Sequence, residues 1–178
     1  QDSLLAREHG TKFPIVQGPM ANISDNVEFA KKIHEGGALP FFAMGSLPPD
    51  LAEGLITGGK ENVNSYGAGM IGVPAFNKNL PEHMEIVKKH GAPFALFAAG
   101  NPSIVKELEA SGTKTYLHTP SMSMLENAIS TGCRRFIFEG TEAGGHVGYL
   151  SSMVLWELAL ELIHSLPDAQ AKEIRLLF

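Results

Sequence analysis

One cysteine in 178 residues, Cys133, leaves no partner for an internal disulfide and no multi-cysteine metal site, and it fits a reducing compartment. The cytoplasm is the expected location. No apolar run approaches the roughly 20 residues that a membrane helix needs, and the first residues lack the basic start and apolar core of a signal peptide. Positive charge is also scarce: 14 Lys and Arg against 19 Asp and Glu, scattered rather than clustered, give a formal net charge of -5. That argues against nucleic acid or an anionic membrane as a partner and leaves small molecules or other proteins. No linker, charge block or low-complexity stretch divides the chain, so residues 1–178 are expected to form one domain.

What is present is ordinary globular material, 44% hydrophobic with 19 Gly and 11 Pro, enough for one sizeable core. Short apolar or β-branched runs recur, each followed by a helical pattern and a glycine. The spacing predicts strands at Pro14 to Met20, Leu39 to Met44, Gly67 to Val73, Phe94 to Ala99, Thr115 to Thr119, Arg135 to Glu139 and Ile174 to Phe178. Between them, Asn26 to Glu35 reads as an amphipathic helix with Asp25 as its N-cap and Gly36-Gly37 as its stop. Leu80 to Lys89, Ser103 to Ala110 and Met122 to Ser130 repeat the scheme, ending at Gly91, Gly112 and Gly132. Gly58-Gly59-Lys60 reads as a loop inside the second crossover.

Strands that lack strict apolar/polar alternation and recur at the spacing of a βα unit imply a parallel sheet covered on both faces. A closed barrel of eight such units takes about 250 residues, so seven strands in this length predict an α/β fold of the TIM type, a (β/α)8 barrel without its eighth unit. An open doubly wound sheet is the alternative. The start at Gln1 and the stop in the apolar run Ile174 to Phe178 read as those of a piece of a longer protein.

In parallel α/β folds the loops after the strands build the site. The richest is Gly140-Thr141-Glu142-Ala143-Gly144-Gly145-His146-Val147-Gly148, whose glycines let main chain approach a flat or anionic ligand. The same glycines also fit a plain tight turn, with His146 a solvated loop residue. The Lys-Ser/Thr ending of a phosphate loop is absent, as is the dinucleotide fingerprint at a first strand-to-helix turn.

The stretch Phe138 to Gly148 resembles the signature of nitronate monooxygenases, once called 2-nitropropane dioxygenases, and of flavin-dependent enoyl-thioester reductases. The opening Pro14-Ile15-Val16-Gln17-Gly18-Pro19-Met20-Ala21 is similar to the first strand of that group, and Glu35-Gly36-Gly37-Ala38-Leu39 to its second-strand entrance. The resemblance implies a barrel that holds FMN at the C-terminal ends of its strands. It places Gly18, Pro19 and Met20 under the flavin ring and Glu139, Gly140, Ala143, Gly144 and Gly145 along its remaining length, and makes His146 the catalytic histidine. An imidazole titrates near neutral pH and suits a base or a hydrogen-bonding orienter, while redox chemistry belongs to the cofactor. Met20, Phe41 and Met44 are expected to supply apolar wall.

Three departures qualify the resemblance. Gly72-Val73-Pro74 stands where the monooxygenases often carry an asparagine. Glu139 and Leu150-Ser151-Ser152-Met153 lean toward the enoyl reductases. The loops expected to hold the FMN phosphate would follow Phe178, which implies weak flavin binding by these residues alone. The resemblance therefore implies an FMN-dependent oxidoreductase that oxidises alkyl nitronates with O2. The alternatives are an NAD(P)H-dependent enoyl-thioester reductase of fatty-acid or polyketide synthesis, and a non-catalytic barrel segment. A homodimer or a larger multidomain protein is the expected setting. His118, on the fifth strand, reads first as a packed or hydrogen-bonded strand residue and, as the alternative, as pointing into the pocket. Cys133 reads as an inert buried thiol, and Trp156 with Met153, Leu160 and Ile163 as core rather than a cofactor stack. Glu142 reads equally as shaping its loop or facing water.

Overall fold

The computed structural model describes residues 3–145 and 148–178. Its elements run α1 (Leu4–His9), β1 (Val16–Gln17), α2 (Val27–Glu35), β2 (Leu39–Ala43), α3 (Pro49–Asn62), β3 (Gly67–Gly72), α4 (Leu80–His90) and β4 (Phe94–Gly100). There follow α5 (Pro102–Glu109), β5 (Lys114–His118), α6 (Met122–Thr131), β6 (Arg135–Ile137), α7 (Ser152–His164), α8 (Asp168–Ala171) and β7 (Arg175–Leu177). Among the described residues, seven strands lie in chain order in one sheet with every pairing parallel. The sheet curls into a nearly closed, incomplete (β/α)8 barrel whose two edge strands, β1 and β7, flank a cleft lined by Val16, Ile137, Leu177 and Phe178.

The period of two along a strand sorts its side chains. Leu39 and Phe41, Phe94 and Leu96, Tyr116 and Leu177 point inward and form the small cluster that fills the barrel. Their neighbours Phe42, Ala95, Phe97, Leu117 and Phe136 point outward into the larger cluster between sheet and helices. Helix ends follow local chemistry. Gly91 and Gly132 stop α4 and α6 in the left-handed conformation, and Ser121 caps α6 through Met124 N–H.

Three sequence expectations need correction. Gly58-Gly59-Lys60 lies within α3 rather than in a loop. A Cβ on Gly59 would stand 2.6 Å from the Phe42 ring and one on Gly58 2.7 Å from Val27 Cγ2, so close packing of α3 on β2 and α2 overrides helix propensity. The cap of α2 is Asn26, whose Oδ1 accepts from Phe29 N–H at 3.1 Å, not Asp25. On α7, Ile163 is buried, but Met153 and Leu160 face solvent and Trp156 is half-buried against Phe178, with ring centroids 5.1 Å apart.

Helix α1, which the pattern of βα units did not predict, covers the end of the barrel where the strands begin. Ser3 Oγ accepts from Ala6 N–H, and Gly10 closes the helix at φ 66°. His9 is buried against Phe94 and Tyr116, with Nε2 paired to the Tyr116 hydroxyl at 2.8 Å. Burial lowers the His9 pKa from 6.5 to about 4. Glu8 beside it receives Arg135 Nη2 at 2.7 Å and Arg175 Nε at 2.9 Å, and Arg135 also reaches Glu109 at 3.2 Å. Burial alone would raise the Glu8 pKa, but the hydrogen bonds from Arg135 and Arg175 outweigh it and the net shift is downward.

Candidate functional site

The inward columns of the strands continue past the apolar layer to the opposite mouth. Two residues beyond Leu96 stands Ala98, beyond Tyr116 stands His118, beyond Ile137 stands Glu139, and beyond Val16 stands Gly18. These groups, with Pro19, Met20, Gly144 and Gly145, enclose a cavity of about 280 Å³. A second lobe of about 300 Å³ shares Pro19, Ala98 and Gly145 and is lined by Ala43, Gly69, Met70 and Ile71. The C-terminal mouth is where barrels of this type carry their sites.

Backbone rather than side chain forms much of the wall. A Cβ at Gly18, Gly144 or Gly145 would meet no atom within 4 Å, so open space lies over all three. Gly145 has φ 96°, a conformation that side chains resist. On the other side Pro19 lies so near β3 that a Cβ on Gly69 would sit 2.3 Å from Pro19 Cβ. The loop after β6 is tied to the start of α7. Ser152 N–H and Oγ both donate to Glu142 Oε2 at 3.0 Å, Gly140 N–H donates to Ser152 Oγ at 3.2 Å, and Ala143 N–H donates to Gly140 O at 3.1 Å. The N–H of Ser152 holds the Glu142 pKa below the usual carboxylate range, and the carboxylate caps a helix whose own Ser151 makes no side-chain cap. A Cβ on Gly140 would fall 2.1 Å from Ser152 N, so this knot needs glycine there.

Of the residues singled out in the sequence, Gly18, Pro19, Met20, Glu139, Gly144 and Gly145 meet at the first lobe. Gly140 and Ala143 belong to the knot that orients the loop rather than to the described cavity wall. His146 lies outside the described residues. Phe41 and Met44 are buried elsewhere: Phe41 shares the inward column of Ala43 but lies one layer below the mouth in the barrel filling, and Met44, of the opposite parity, lies behind the sheet. Cys133 is buried, its thiol donates to Pro102 O at 3.7 Å, and burial pushes its pKa up to about 11, as an inert core thiol requires.

His118 takes both of the positions between which the sequence left it. It is packed and hydrogen-bonded, as expected of a strand residue, with Nδ1 2.9 Å from Ala98 O. It also lines the first lobe, where Nε2 has no hydrogen-bond partner and stands 3.8 Å from Glu139 Oε2. The signal was there: His118 is two residues beyond the inward-facing Tyr116 at the tip of its strand.

No protein-family model and no curated protein matches the chain. Solved structures do. FabK from Thermotoga maritima is 24% identical, with a TM-score of 0.82 over 99% of this chain and 53% of that one. The enoyl reductase domain of MlnA from the macrolactin cluster of Bacillus amyloliquefaciens is 13% identical, with a TM-score of 0.80 over 98% of this chain and 50% of that one. Nitroalkane oxidase from Streptomyces ansochromogenes is 20% identical, with a TM-score of 0.72 over 96% and 59%. The chain thus spans about half the length of the structures it matches. What it shares with them is the fold, and the proteins that share it are of the kind to which the Phe138 to Gly148 stretch is similar.

Proposed function

We propose that the chain forms most of an FMN-dependent oxidoreductase barrel of the nitronate monooxygenase and enoyl-thioester reductase group. The observation that carries this reading is the glycine-walled cavity at the strand tips, where Gly18, Gly144 and Gly145 leave open space over their main chain and a buried imidazole nitrogen lacks a partner. A flat, polar-edged ring fits those features. Gly18, Pro19, Met20, Gly144 and Gly145 would hold it, with Glu139 and His118 beside it. Bound there, FMN would supply the electron-accepting and electron-donating chemistry. The protein's part is placement and exclusion of water. Leu96, Ala98 and Ile137 keep the floor apolar, and the Glu142–Ser152 knot fixes the glycine loop. His146, which follows Gly145 in the sequence, is assigned the substrate proton, as base or orienter.

The first substrate class is an alkyl nitronate oxidised with O2. Glu139 at the cavity and Ser152 in the knot favour a second reading, an enoyl thioester reduced with NAD(P)H. Oxygen uptake on adding propyl nitronate to FMN-loaded protein supports the first. Bleaching of the flavin by NAD(P)H under argon, followed by loss of a crotonyl thioester, supports the second. Neither response, in protein shown to hold FMN, would contradict both. His146→Ala should keep the yellow colour and lose most turnover in whichever assay responds.

A further inference from the structure

His118 and Glu139 are the charged or titratable side chains among the described residues that line the first lobe, whose other walls are main chain or apolar. The backbone carbonyl of Ala98 can only accept, so His118 Nδ1 carries a hydrogen and donates to it. In the neutral imidazole that leaves Nε2 as a bare acceptor, buried and unpaired, in a side chain that lines the cavity. The Glu139 carboxylate 3.8 Å away is a second acceptor. Two acceptors side by side repel an anion and leave a buried lone pair unsatisfied, a costly arrangement until something donates to it.

We propose that His118 and Glu139 form a donor-seeking subsite that takes an imide-type N–H of the bound ligand, with His118 Nε2 as the acceptor. Resting on the flavin reading, this assigns the subsite to the one N–H of the oxidised isoalloxazine ring, N3, which lies between two carbonyls. His118 is thereby a ligand-contacting residue, and its packing contact with Ala98 is what fixes its tautomer. An anionic head group is disfavoured at this corner because Glu139 would face it.

The test compares FMN with an analogue methylated at N3, by flavin fluorescence, on the unaltered chain and on His118→Leu. One neutral hydrogen bond lost from a buried acceptor amounts to roughly three- to tenfold in affinity. The unaltered chain is expected to bind the methylated ring that much more weakly, and H118L to bind both alike. Equal discrimination by both proteins, or none by either, overturns the proposal. A second probe works on the unaltered chain, so a misfolded variant does not decide the matter, and it separates this proposal from the flavin reading. With 15N-labelled histidine, the free protein should show His118 as the Nδ1–H tautomer, and uracil, an imide without ring system or phosphate, should move the Nε2 resonance. If FMN does not bind but uracil moves Nε2, the subsite stands and the flavin reading falls. If FMN does not bind and uracil leaves Nε2 in place, or if the tautomer is Nε2–H, the subsite falls as well.

Discussion

The two ends of this barrel are built on opposite rules. At the end where strands begin, a charged side chain has a charged answer: Glu8 with Arg135, Arg175 and Lys114, and Arg135 again with Glu109. At the end where strands finish, glycine main chain lines the wall, and His118 Nε2 is left without a partner. The same inward columns run through both, from Lys114 through Tyr116 to His118 and from Arg135 through Ile137 to Glu139. One sheet geometry thus delivers a layer of paired charges beside a buried His9 whose Nδ1 has no partner, an apolar filling, and a glycine-walled rim at which His118 Nε2 is unpartnered. The difference teaches where charges are paired across the chain and where main chain is left open at the mouth.

That contrast can be broken at either end. The largest effect should come from Glu8→Ala, which strands two half-buried arginines without their shared carboxylate. Unfolding in urea is expected to show a loss of about 3 kcal/mol, with the mouth's ligand affinity little changed per folded molecule. Next comes pH. His9 has a folded pKa near 4 against 6.5 when exposed, so the unfolded state binds the proton first. Its contribution to stability is complete above about pH 6.5 and is lost as pH falls toward 4, at up to about 1.4 kcal/mol per pH unit. His9→Gln should flatten that slope, and an unchanged profile would remove His9 from the account.

At the mouth, stability effects shrink and binding effects grow. Gly145→Ala places a side chain at φ 96° in otherwise open space, for an expected stability loss of about 1 kcal/mol. FMN affinity should fall more clearly. Smallest of all is Glu142→Gln, which weakens the tie to Ser152 at an exposed position. Hydrogen exchange at residues 140–145 should quicken while the melting temperature hardly moves. In the unaltered chain, because the folded Glu142 pKa is depressed, the tie is complete above the ordinary carboxylate range and loosens as pH falls through the lowered folded value.

Much of the fold was legible because each strand is an apolar run of the right length closed by a turn residue, and the seven runs expected from spacing are the seven strands found. Other features depended on partners far away in sequence. The glycines of α3 look like a loop until Phe42 and Val27 are seen against them. Glu8 lies 127 residues from Arg135 and 167 from Arg175, and no local pattern joins them. Asp25 and Asn26 are both good caps, and a single residue of helix phase chose Asn26. At the mouth, the motifs picked out Gly18, Gly144, Gly145 and Glu139, which the fold brings to one cavity, whereas strand position alone left His118 open between packing and pocket, and strand parity combines the two. His146, central to the sequence reading, lies outside the described residues.

The most direct test of the account is a titration of the purified protein with FMN, carried to millimolar concentration and followed by flavin fluorescence and visible circular dichroism. The account predicts saturable quenching and an induced dichroic band, both weakened by Gly145→Ala and left intact by His9→Gln at neutral pH. A flavin signal that stays identical to that of free FMN across the whole range would contradict it.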